Sequence, residues 1–213
     1  MTSLMNKNVL LIGGARGLGR DLATECARLR SNIFIIHDKK DELEDTEHHI
    51  GNMRARVYGY FCDFNDKKRI DKLVTLYLRE WLHADVLVNC IDAEQKELFF
   101  KYDIQKLDDI INREHLSQIR FCQQIYANMV ERKKGVVVNI ENIDYEGTDN
   151  IVMGMYSNTL KALTDGINHF AATAKLKEVS SLFVSRSYKN YYSTQNAEKI
   201  VDALLKSKTF IRL

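Results

Sequence analysis

Residues Val9-Leu10-Leu11-Ile12-Gly13-Gly14-Ala15-Arg16-Gly17-Leu18-Gly19 decide the fold of this chain. Four apolar residues run without a break, as expected for a strand covered on both faces. Glycines follow, and from Leu18 to Leu29 the apolar spacing becomes helical. A strand, a glycine turn and a helix in that order form a place where phosphate oxygens meet backbone N–H groups. Glycine has no side chain to obstruct that approach, and the helix presents its positive end. Gly13, Arg16, Gly17, Leu18 and Gly19 are therefore the candidate phosphate-binding residues.

Outward from this turn, short β-branched runs alternate with longer helical patterns. Strands are expected at Ile33–Ile36, Val57–Cys62, Val86–Asn89, Val136–Ile140, Ser181–Ser185 and Phe210–Leu213. Helices are expected at Ile70–Leu82, over a long segment at 104–132, at Met155–Leu176 and at Ala197–Leu205. The pattern predicts one domain over residues 1–213. Its fold class is α/β: a Rossmann-type, doubly wound parallel sheet of about seven strands with six intervening helices, in a three-layer sandwich.

Composition narrows the function classes. An apolar fraction of 45%, a charged fraction of 28% and a net charge of +2 describe a globular protein with no bias toward nucleic acid or anionic membranes. No apolar run approaches the roughly 20 residues that span a bilayer, and the polar start Met1–Asn8 is not a signal peptide. Cys26, Cys62, Cys90 and Cys122 form no Cys-x-x-Cys pair, which points to a reducing, cytoplasmic setting. The histidines form no ligand ladder, so no metal site is expected. Proline is absent from the chain.

Asp38 ends the second strand, nineteen residues beyond Gly19. A carboxylate there accepts both hydroxyls of an adenosine ribose and repels a 2′-phosphate, which favours NAD over NADP. Lys39 and Lys40 act in the opposite sense, since a cation offsets such a phosphate. Asp63, ending the third strand, is placed to meet the adenine amino group, and Asn89, ending the fourth, to fix backbone near the cofactor. A plain strand-end turn role is as good a reading of both.

Together these residues resemble the short-chain dehydrogenase/reductase family over the whole chain. The resemblance rests on Gly13, Gly17 and Gly19, on Asp63, on Asp85-Val86-Leu87-Val88-Asn89, on Asn112, and on Tyr156-Ser157 followed by Ala162-Leu163. Within the family, Asn6–Val9, Asp38 and Phe210–Leu213 look most like the insect-type alcohol dehydrogenases. The resemblance implies a tyrosine acid/base (Tyr156), a lysine four residues on, a serine that holds the substrate oxygen, and an asparagine (Asn112) in the proton relay. A free phenol titrates near 10, and an adjacent ammonium lowers it toward neutrality.

The chain departs from that pattern at four places. The serine's position holds Asn142, whose amide still donates a hydrogen bond. Leu160 stands four residues beyond Tyr156, and the lysine is Lys161. Four helical residues return to within about 40° of the start, whereas five land about 140° away. Lys161 therefore joins Tyr156 only if a π-bulge distorts the helix. The Pro-Gly of the following loop is replaced by Ser185 and Arg186, and only eleven residues, 186–196, stand where relatives carry a substrate lid.

These departures favour an NAD-binding homologue with weak or no dehydrogenase activity, serving as a binding, sensing or structural protein. The alternatives are an active NAD-dependent oxidoreductase on a secondary alcohol or ketone, using Tyr156, Asn142, Asn112 and Lys161, and a dimeric storage or scaffold protein with a vestigial site. A homodimer is expected through helices 104–132 and 155–176, with Phe121, Ile125, Met129, Ile167 and Phe170 as candidate contacts or core. An unidentified protein partner is a further expectation.

Overall fold

A computed structural model describes residues 3–53, 55–91, 93–94, 101–141, 143–144, 151–185, 194–206 and 210–212. The chain runs β1 (Asn8–Ile12), α1 (Gly17–Arg28), β2 (Asn32–His37), α2 (Lys40–Gly51), β3 (Arg56–Phe61), α3 (Lys67–Trp81), β4 (Val86–Asn89) and β5 (Ala93–Glu94). It continues with α4 (Ile104–Ile110), a π-helical segment (Ile111–Leu116), α5 (Ser117–Glu131), β6 (Lys134–Ile140), β7 (Ile143–Asp144), α6 (Ile151–Thr173), β8 (Glu178–Ser185), α7 (Thr194–Leu205) and β9 (Phe210–Arg212).

Seven strands form one sheet in the order β3-β2-β1-β4-β6-β8-β9, parallel throughout, and β5 pairs with β7 apart from it. The order reverses between β1 and β4. In such sheets the ligand crevice opens beyond the carboxyl ends of the strands at this switch point. Alternate residues of β1 point to opposite faces, and both faces are dry. Val9 and Leu11 pack with Leu22, Cys26, Ile200 and Leu204 of α1 and α7. Leu10 and Ile12 pack with Ile70, Val74, Phe121 and Ile125 of α3 and α5. Burial on both faces explains the unbroken apolar runs at 9–12, 86–88 and 136–138 within β1, β4 and β6.

Helix α2 has no expected counterpart in the sequence reading, since only Leu43, Thr46 and Ile50 of its twelve residues are buried. The long 104–132 pattern resolves into α4, the π segment and α5. The only π-helical stretch among the described residues is therefore here, and α6 is α-helical from end to end. Of the candidate dimer residues, Phe121, Ile125, Met129 and Ile167 belong to the core, because their faces of α5 and α6 lie on the sheet. Phe170 is exposed. All four cysteines are free and buried, and burial pushes their thiols up to about 12. No helix of the described residues is long and apolar enough to cross a membrane.

Candidate functional site

The glycine turn is built as its spacing predicts. Gly13 has φ +83 and donates to Ile36 O at 2.8 Å. A Cβ on it would lie 2.6 Å from Cys90 O, so the tip of β1 lies directly against the end of β4. Gly17, with φ +51, opens α1. A Cβ on Gly19 would lie 2.9 Å from both Cys90 Sγ and Gly14 Cα, which is how α1 approaches the sheet closely enough to aim its N-terminus at the crevice. Leu18 sends its side chain into the core, leaving its backbone to face a phosphate. Arg16 stands at the N-cap of α1, 3.9 Å from Glu42.

Asp38 follows β2, as expected, and it is occupied. Arg113, from the π segment, donates to Asp38 Oδ2 from Nε at 2.9 Å, and its Nη2 lies 2.8 Å from the same oxygen. Beside this pair, His37 Nε2 lies 2.8 Å from Glu42 Oε2, and Lys39 lies 3.4 Å from Glu42 Oε1. Burial lowers the His37 pKa, against the opposing pull of Glu42. Asp63 is exposed and accepts from Asn65 N at 2.9 Å, a strand-end turn. Asn89 is fully buried and donates to Asn139 Oδ1 at 2.7 Å, tying β4 to β6. These contacts are structural ones of the kind that the sequence reading set beside a cofactor role for both residues.

Tyr156 is fully buried on the inner face of α6. Its hydroxyl donates to Ile91 O at 2.6 Å and accepts from Gln118 Nε2 at 3.2 Å. Burial is the main cause that pushes this phenol far above its ordinary value near 10, and the Gln118 hydrogen bond acts in the opposite direction. Leu160, one turn on, is buried, and Lys161 is exposed on the outer face. The bulge that would bring Lys161 to Tyr156 is absent from α6, so the two side chains are kept apart. The Asn112 amide donates to Asp108 O at 2.8 Å, back along its own helix. Asn142, Arg186 and most of the lid segment lie outside the described residues.

The residues that do face Tyr156 went unread in the sequence. His115 sets its ring edge-on to the phenol at 5.6 Å, and its Nδ1 lies 3.2 Å from Thr159 Oγ1. Burial lowers its pKa. Gln118 is fully buried and also donates to Glu114 O at 2.6 Å. The available signal was the polar run Asn112-Arg113-Glu114-His115, four in a row inside an amphipathic helical pattern. Turning it into contacts requires knowing that a π segment resets the helix phase there. Among the described residues no group of His, Cys, Asp or Glu is placed to hold a metal ion.

The turn, the positive end of α1 and the carboxylate after β2 suit a dinucleotide. The glycine cradle, which a Cβ would fill, is the observation that carries the fit. Comparison with known proteins agrees. The chain is 30% identical to 5-keto-D-gluconate 5-reductase of Escherichia coli (strain K12) over 169 residues, 78% of this chain and 66% of the relative. It is 25% identical to ketoacyl reductase HetN of a Nostoc strain over 143 residues, 67% of this chain and 50% of the relative. The chain thus spans between half and two thirds of the length of these curated relatives.

Among solved structures, a short chain dehydrogenase/reductase from Burkholderia phymatum in complex with NAD superposes with a TM-score of 0.87 at 12% identity, covering 100% of this chain and 90% of that one. A metagenomic short-chain oxidoreductase in complex with NADP gives 0.84 at 16%, covering 99% and 96%. At such identities the likeness speaks for the fold alone. The family model "short chain dehydrogenase" matches residues 7–186, and the chain belongs to that family.

Proposed function

We propose that this chain binds a nicotinamide dinucleotide, with NAD preferred, and that its redox chemistry is weak or lost, so that binding is the function retained. Gly13, Gly17, Gly19 and the backbone of Leu18 would hold the pyrophosphate, with Arg16 beside it, and Asp38 the adenosine ribose. Bound cofactor supplies hydride transfer. The chain would have to supply a proton to or from the substrate oxygen.

The observation that carries the reading is the state of Tyr156. Its proton is given to Ile91 O, its ring is buried, and the buried Leu160 stands one turn on, where the family pattern has a lysine. A phenol in that setting stays neutral and keeps its proton at physiological pH. The test is a fluorescence titration with NADH and NADPH, followed by a turnover screen over secondary alcohols and ketones. Saturable NADH binding with no turnover is expected. Turnover abolished by Tyr156→Phe would overturn the loss of chemistry.

An active oxidoreductase is the second reading. It is favoured by the reductase names of the curated relatives and by the Gln118 amide, which already donates to the Tyr156 oxygen. Asn6–Val9, Asp38 and Phe210–Leu213 support a place near the insect-type alcohol dehydrogenases within the family. A reducing compartment suits the four free thiols.

We also assign self-association to the outer faces of α5 and α6 and the π segment, where Leu116, Ile119, Met155 and Phe170 are 37–48% exposed. A homodimer is expected in sizing with light scattering. Phe170→Asp combined with Ile119→Asp should yield monomers; an unchanged mass would remove these faces from the interface.

A further inference from the structure

The place assigned above to an adenosine ribose already contains a cation. Arg113 sets two of its N–H groups on one oxygen of Asp38, at 2.9 and 2.8 Å. The Asp38 side chain is left 12% exposed. The recess they share, lined by Gly13, Arg16, His37, Asp38, Phe64 and Arg113 among others, encloses about 10 Å³. That is room for about one water molecule. Ligand pockets run to roughly 300 Å³ and more.

The chemistry of the contact explains the closure. Two N–H donors of the guanidinium take up Asp38 Oδ2, one of the two carboxylate oxygens that a pair of ribose hydroxyls would need. Asp38 cannot meet both partners in full. The π segment sets this up: one extra residue in a turn rotates the helix phase by about 100°, and Arg113 is displayed where it occurs. Glu114 steadies the guanidinium from the other side, with Oε1 3.4 Å from Nη1.

We propose that Arg113 is an internal occupant of the dinucleotide site and selects what enters it: the adenosine ribose reaches Asp38 only by displacing the guanidinium. This rests on the dinucleotide reading above. The apparent affinity is then the intrinsic one reduced by the fraction of molecules in which Arg113 has swung away. Glu114, already beside Nη1, is the partner that remains to a displaced Arg113.

The experiment is a titration of the wild-type chain, Arg113→Gln and Arg113→Lys with NADH and with NADPH, with a thermal melt of each. If the closed state outnumbers the open by about ten to one, Arg113→Gln binds NADH about tenfold more tightly than wild type. Arg113→Lys gains less, in the same direction, because an ammonium lacks the planar fork; it is the readout if the glutamine variant does not fold. NADH binding by wild type that is unchanged or weakened in Arg113→Gln overturns the proposal and leaves the dinucleotide reading intact. A loss confined to NADPH also overturns it, making Arg113 a ligand for the 2′-phosphate. Silence from all three proteins at millimolar NADH overturns the dinucleotide reading and this proposal together.

Discussion

The Tyr156 hydroxyl sits between an acceptor, Ile91 O, which favours the neutral phenol, and a donor, the Gln118 amide, whose pull toward the anion is outweighed by burial. Installing the lysine that the family pattern carries and this chain lacks does not repair this. Leu160 is 1% exposed, so Leu160→Lys buries an ammonium where an apolar side chain packs. We expect that variant to lose about 3 kcal/mol or more of stability in urea unfolding, with no turnover gained. A stable, active variant would show that the register alone had disabled the site. The glycines were legible at this scale because Gly13 and Gly19 each have backbone within about 3 Å of where a Cβ would stand, a constraint no other residue meets. Asp38 was legible as a strand-end carboxylate. Its partner was not, since Arg113 lies 75 positions away and nothing local links the two.

Among the elements, β1, β4 and β6 could be read directly, because strands covered on both faces are mostly apolar and form near-continuous hydrophobic runs. Helix α2 could not, having a single narrow buried edge. That edge matters to the crevice. Thr46, fully buried, donates to Ala15 O at 2.7 Å and so ties α2 to the glycine turn. Thr46→Val keeps the shape and strands the carbonyl, and should lower stability by about 1–2 kcal/mol with a matching rise in the NADH dissociation constant. Unchanged unfolding would mean that water replaces the hydroxyl. The π segment was equally illegible. A period of 3.6 residues is the assumption behind any helical reading, and Ile111–Leu116 breaks it where the polar run occurs.

For the whole molecule, the fold class followed from the alternation of strand and helix, and the seven-stranded order agrees with it. The overall charge balance did not reveal how buried and half-buried histidines couple folding to pH. His37, His83 and His115 are all held below the ordinary value of 6.5, in each case first by burial. The unfolded chain takes up these protons as pH falls through about 6.5, and the folded chain only at lower pH. Stability is therefore full above that value and is lost as pH falls from it through the folded values. The urea midpoint should be lower at pH 5.5 than at pH 7.5; an equal or higher midpoint would contradict the burial argument. The four cysteines add a last consequence. With thiols near 12 and no solvent contact, they are closed to alkylating reagents while the chain is folded. Cys62 and Cys122 lie on one side of the sheet and Cys26 and Cys90 on the other. The order in which the sulfurs take up label would therefore time the opening of each layer separately, a clock built into the chain.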